Sequence, residues 1–182
     1  MARDPIRRLL DEHADLQARL EPFRCAVRDL AVAGPEQLAV VLPTFREGAR
    51  ILTTDLIAHA RREDEAFFPA VEEAIGGTFG PTIVLREEHV TIQAGADQFR
   101  ATLNELQAVQ HPAIVEGGAR LHGLVEGKAD AGALRELGTS LLSLVDDHFA
   151  KEEQILFPMA RSILDAEGLQ SIALRMDALD GA

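Results

Sequence analysis

The chain has 182 residues, a formal net charge of −12 and a single cysteine. That charge would repel it from nucleic acid and from anionic membrane surfaces, and Cys25 alone can build neither a disulfide framework nor a thiolate metal site. Almost half the residues are hydrophobic, yet no apolar run reaches membrane-spanning length and the N-terminus lacks the apolar core of a secretory signal.

These features predict one cytoplasmic domain over residues 1–182, large enough to bury a core without cross-links, with Cys25 as a small buried hydrophobe. Leu, Ala, Glu and Arg dominate, which favours helix. A first helix is predicted from Asp4-Pro5, a cap followed by proline at the first helical position, to about Ala31. Its apolar side carries Ile6, Leu9, Leu10, Leu16 and Leu20, with His13 in the middle of the stripe.

Gly34-Pro35 breaks the chain. A second helix follows from about Glu36 to Ala74, kinked at Pro43, with a stripe of Leu38, Val41, Phe45, Leu52, Leu56, His59, Glu63, Phe67 and Ala70. Gly76-Gly77 and Gly80-Pro81 close it. A third helix, about Thr82 to Val109, keeps Leu85, His89, Ile92, Ala96, Phe99 and Leu103 in phase.

The pattern loosens from Gln110 to Asp130, which reads as a long connection with one short helix lying over one end of the molecule. A fourth helix covers about Ala131 to Leu164, and Asp165 caps a last short helix carrying Leu169, Ile172 and Leu179. The expected fold is all-α: an antiparallel up-down-up-down four-helix bundle over about residues 4–164, with a C-terminal helix over about 165–180 docked outside.

The chemistry concentrates in the eleven residues from His148 to Pro158. Leu134, Leu137, Leu141, Leu144 and Val145 set the helical phase, and steps of three and four carry it through His148, Glu152, Ile155 and Met159. An imidazole and a carboxylate one turn apart thus fall on the apolar face, where they can grip one object. Burying both without a partner costs several kcal/mol, roughly.

An internal repeat multiplies this pair. His59-Ala60-Arg61-Arg62-Glu63-Asp64-Glu65-Ala66-Phe67-Phe68-Pro69 aligns with the stretch from His148 without a gap: His on His, Glu63 on Glu152, an acid next in both, and Phe-Pro at both ends. Asp11-Glu12-His13-Ala14-Asp15-Leu16-Gln17 likewise aligns with Glu87-Glu88-His89-Val90-Thr91-Ile92-Gln93. Each half therefore offers one His from its first helix and a His and a Glu from its second.

Folded about a pseudo-twofold axis, the halves bring four imidazoles and two carboxylates together, an inventory suited to a pair of metal ions. Imidazole with carboxylate favours iron, manganese or zinc over calcium or magnesium. Acidic residues fill 30 of 182 positions, so chance alone places an acid four residues after about one of the six histidines. His122, followed by Glu126, is such a chance pair: it stands between glycines and has no twin. His111 reads as a loop residue before Pro112.

On these residues the sequence resembles the hemerythrin family in its bacterial form with the His-His-Glu cation-binding domain, over roughly Ile6 to Ile163. The resemblance implies a non-haem di-iron centre with an oxo or hydroxo bridge. His13 and His59 would bind one iron, His89 and His148 the other, and Glu63 and Glu152 would bridge both. Oxygen carriers of the family have a second His four residues after the third-helix His. Here that position is Gln93, and the repeat puts Gln17 beside His13.

Each iron would then keep an open position, which argues against simple reversible oxygen carriage. Glu12, Asp55 and Glu88 are the candidates for an extra ligand or a supporting partner of the ligands, and Gln17 and Gln93 for hydrogen bonds to a bound oxygen species. The implied role is redox work on dioxygen or peroxide, catalase-, peroxidase- or oxidase-like. The alternatives are a module that senses or stores oxygen, nitric oxide or iron without turnover, and a metal-free helical interaction protein.

Overall fold

The structure, a computed structural model, describes residues 4–30, 35–115 and 131–181. Asp4 starts the first rod: its Oδ1 accepts from the N–H groups of Ile6 at 3.0 Å and Arg7 at 3.2 Å, with Pro5 pre-set for the first turn. This helix, α1, spans Pro5–Asp29.

The second rod runs over residues 35–75 in five pieces: α2 (Pro35–Arg50), the π-helical turn π1 (Ile51–Asp55), α3 (Leu56–Arg62), π2 (Glu63–Phe67) and α4 (Phe68–Ile75). Gly76 ends it in the left-handed conformation, φ 84°, which lets its N–H fold back on the last carbonyls of α4. The third rod is α5 (Pro81–Val115). The fourth joins α6 (Ala131–Lys151), π3 (Glu152–Leu156) and α7 (Phe157–Ile163). Asp165 then caps α8 (Ala166–Asp180), accepting from the N–H of Gly168 at 2.8 Å.

Two apolar clusters fix the antiparallel order. One gathers the end of α1 (Leu20, Phe23, Val27), the start of the second rod (Leu42, Phe45), the later part of α5 (Phe99, Leu103) and the start of α6 (Leu134, Leu141). The other gathers the opposite ends: Ile6 and Leu9 of α1, Phe67 and Val71, Leu85 of α5, and Leu156 and Ala160. The rods touch in sequence order and close the ring with the first against the fourth. The result is an all-α antiparallel four-helix bundle, with α8 sealing the second cluster through Ile172 and Met176. Phe23 packs directly on Gly48, where a Cβ would come within 2.5 Å of the ring.

Three expectations shift. Helix α5 continues to Val115 and carries His111-Pro112 within it. A proline costs one hydrogen bond and need not end a rod whose flanks favour helix, and the next glycines after Pro112 come only at Gly117-Gly118. The rest of the predicted connection, with His122 and Glu126, lies outside the described residues.

Second, the apolar phase slips by one after Glu152: Ile155 is 56 % exposed and Leu156 is buried. The cause is π3, where the N–H of Phe157 donates to the carbonyl of Glu152 five residues back and one residue is inserted into the turn. Its repeat twin π2 does the same between Phe68 and Glu63. In both, a proline follows (Pro69, Pro158) whose missing N–H and bulky ring disfavour an ordinary α turn.

Third, Cys25 is only half-buried, with its Sγ 3.5 Å from Glu21 Oε1.

Candidate metal centre

Between the two apolar clusters lies one polar layer. His13 comes from α1, His59 from α3, Glu63 from the start of π2, His89 from α5, His148 from α6 and Glu152 from the start of π3. All six side chains are buried, and both glutamates are fully so. Hydrophobic packing above and below sets these positions, because each residue occupies a place in an apolar stripe.

Their donor atoms form two sets. His13, His59, Glu63 and Glu152 make one; Glu63, His89, His148 and Glu152 make the other, and within each set the atoms lie within 4.8 Å of one another. Both carboxylates belong to both sets. Glu152 turns Oε2 to His13 Nε2 at 3.1 Å and Oε1 to His148 Nε2 at 3.1 Å. Glu63 Oε2 lies 3.4 Å from the Nε2 atoms of both His59 and His89. The two Nε2 atoms of His13 and His59 are 3.0 Å apart.

That imidazole pair forms a hydrogen bond, but the carboxylate oxygens, though close to the rings, are not aligned for one. All four carboxylate oxygens of Glu63 and Glu152, together with Nε2 of His89 and His148, lack a hydrogen-bond partner. Buried polar atoms this numerous are destabilising unless something compensates them. Convergent lone pairs from imidazole and carboxylate fit a cation, so each set could hold a metal ion.

Every imidazole is also held from behind. Nδ1 of His13 sits 2.9 Å from Glu153, that of His59 2.9 Å from Glu12, that of His89 3.1 Å from Asp64 and that of His148 3.0 Å from Glu88. A ring N–H donating to a carboxylate fixes the tautomer and leaves Nε2 to face the interior. Glu12 and Glu88, expected as extra ligands or supports, take the supporting place.

Asp64 and Glu153 were not singled out by sequence. Their signal was the acid that follows the glutamate in both copies of the repeat. The other named candidates lie elsewhere. Asp55 is paired with Arg19 and Arg50 rather than with His59. Gln17 and Gln93 are exposed, one turn on from histidines that are buried.

Aromatic rings close the layer. Phe157 packs on His13 and its repeat twin Phe68 on His89, both with ring centroids 5.6 Å apart. Phe149 stacks on His13 at 3.9 Å and meets His59 edge-on at 5.7 Å.

Without a cation, protons must do the compensating. Burial works against a charged His89, but Asp64 and Glu63 outweigh it and push its pKa up to about 10. His13 and His148 are raised in the same way, against burial, chiefly by Glu152. Burial would raise the Glu152 carboxyl, yet His13 and His148 hold it well below the usual range.

The sequence pattern of the hemerythrin HHE cation binding domain matches residues 4–111 and again 102–179. The chain belongs to that family. A comparison with curated proteins found no match. Binding of a metal cation is what the hemerythrin HHE domain indicates, and the two His/Glu sets fit it. Among the described residues of this hemerythrin-family chain, no helix is long and apolar enough to cross a membrane.

Proposed function

We propose that this hemerythrin-family chain works as one cytoplasmic domain that holds two iron ions, His13 and His59 on one, His89 and His148 on the other, with Glu63 and Glu152 spanning both. The carrying observation is the pair of four-residue donor sets that share both buried, unpartnered glutamates. Manganese or zinc would suit the same donors.

Iron held by these residues would supply one-electron redox steps toward dioxygen, peroxide or nitric oxide. The chain's own residues do the rest. Glu12, Asp64, Glu88 and Glu153 hold the Nδ1 protons and orient the rings. Phe68, Phe149 and Phe157 keep water from the imidazole faces.

Redox turnover of peroxide or dioxygen is favoured over simple oxygen carriage. Each donor set has two imidazoles and two carboxylates, and no third imidazole joins either among the described residues. Gln17 and Gln93, at the positions where a further ligand would come, are exposed.

The test is anaerobic loading with ferrous iron, followed by metal analysis, a near-ultraviolet spectrum and peroxide consumption, with His59→Ala as control. Two irons per chain, charge-transfer bands and consumption lost in the control are expected. Loaded protein that binds gas or exchanges iron without consuming peroxide would turn the reading to sensing or storage. Two irons per chain retained in His59→Ala would overturn the ligand assignment.

A further inference from the structure

The repeat matches the two imidazole pairs, but not what stands behind them. In the first half, Glu12 accepts from His59 at 2.9 Å through Oε2 and from Arg8 Nε at 3.0 Å through Oε1, with Arg62 Nη1 3.4 Å from Oε2. Both arginines reach on to α8. Arg8 Nη1 donates to Asp177 at 3.1 Å, Arg62 Nε donates to Asp180 at 2.8 Å, and Arg8 also pairs with Asp180. An unbroken charged chain thus runs from the C-terminal helix to the ring nitrogen of a central histidine.

In the second half the chain is cut short. Glu88, the counterpart of Glu12, meets His148 and Lys151, and Lys151 stands where the repeat has Arg62. The counterpart of Arg8 is Val84, 48 % exposed and without any charge to pass on. Helix α8 packs on α1 and π2, both of the first half. Its mark is visible in one pair of twins: Ala66 is fully buried, whereas its counterpart Ile155 is exposed.

We propose that α8 is a positioning clamp for one half of the centre: Asp180 and Asp177 fix Arg8 and Arg62, these fix Glu12, and Glu12 fixes His59. This rests on the reading that the imidazoles bind cations. The ion held by His13 and His59 is then coupled to docking of the C-terminal helix, while the ion held by His89 and His148 is not. Coupling is reciprocal, so loading of the first half also tightens α8 onto the bundle.

The experiment is anaerobic titration with ferrous iron, read by calorimetry, on the wild type, Asp180→Asn, His59→Ala and the double variant. Proteolysis within α8 is followed with and without iron. Asp180 is a surface acid, 39 % exposed at its side chain, so its amide variant folds.

Asp180→Asn is expected to weaken one of the two ions about tenfold, the lower end of what partners behind a metal-binding histidine cost. The other ion changes less than twofold. In the His59→Ala background the Asp180 change has no further effect, because the chain to the site is already cut. Iron is expected to slow cleavage of α8 in the wild type and not in Asp180→Asn.

A variant curve that superimposes on the wild type, equal weakening of both ions, or the same cleavage rate with and without iron would overturn the clamp and leave two-ion binding standing. A wild type that binds no iron would remove the underlying reading and the clamp with it.

Discussion

In the first half of the bundle, residues 5–75, the rings of His13 and His59 lie against Phe149, and an arginine pair anchored on α8 backs His59. For the other imidazole pair, His89 and His148, the repeat puts Ala60 where Phe149 stands for the first, and a single lysine backs the carboxylate behind His148. The six central side chains have the same disposition in both halves; their surroundings do not. Duplicated helices preserve what a shared cluster demands, while the residues that face solvent or a neighbouring element are free to diverge. Two half-sites of equal composition should therefore differ in affinity, access and rigidity.

The hardest blow to this comparison comes from Glu152, which serves both sets. Glu152→Ala should abolish two-ion binding and leave less than one iron per chain by metal analysis; His59→Ala should spare the second half and retain about one. Equal losses in the two variants would mean that the halves are not separable.

Phe149→Ala removes the ring that distinguishes the halves. It should destabilise the protein by about 3–5 kcal/mol in denaturant unfolding, as for other buried Phe truncations. A cost below about 1 kcal/mol would show that the ring is not packed as described.

Stripping the metal should lower the melting temperature by about 5 °C near neutral pH, since the buried carboxylates and imidazoles lose their cations. The gap should widen with pH. His89, raised from its ordinary value near 6.5 to about 10, stabilises the metal-free protein fully below pH 6.5, and that stabilisation is lost as pH climbs through about 10. A bound cation takes the place of the proton, so loaded protein lacks this loss. Melting curves at pH 6.5 and 9, with and without chelator, measure it; a constant gap would count against protonation as the substitute.

The smallest effect belongs to His122→Ala. His122 has an acid four residues on but no twin, so iron content should not change. A loss of iron there would break the rule that the repeat marks the site.

That rule explains how much could be read in advance. The four rods were legible because stripes at helical spacing, an Asp-Pro start and glycine stops point the same way, and the six central residues because each has a twin. What escaped reading depends on tertiary partners. Asp55 stands one turn before His59 on the helix, but Arg19 and Arg50 claim it. Asp64 and Glu153 have twin positions, yet their task is set by histidines on other rods. Ile155 was placed inward because counting by three and four cannot anticipate a five-residue turn. The charged chain from α8 to Glu12 spans 168 sequence positions from Glu12 to Asp180, and no local pattern signals it.

The wide turns beginning at Glu63 and Glu152 also work as clutches. Each admits one surplus residue, so the rod beyond it is turned by about 100° from where an unbroken α-helix would carry it. That rotation is what swings Phe68 and Phe157 over the rings of His89 and His13. Deleting a single residue from either turn would spin the last two turns of that rod as a unit and leave everything upstream in register. The lower end of the bundle can thus be re-aimed by length alone, without exchanging any side chain of the upper end.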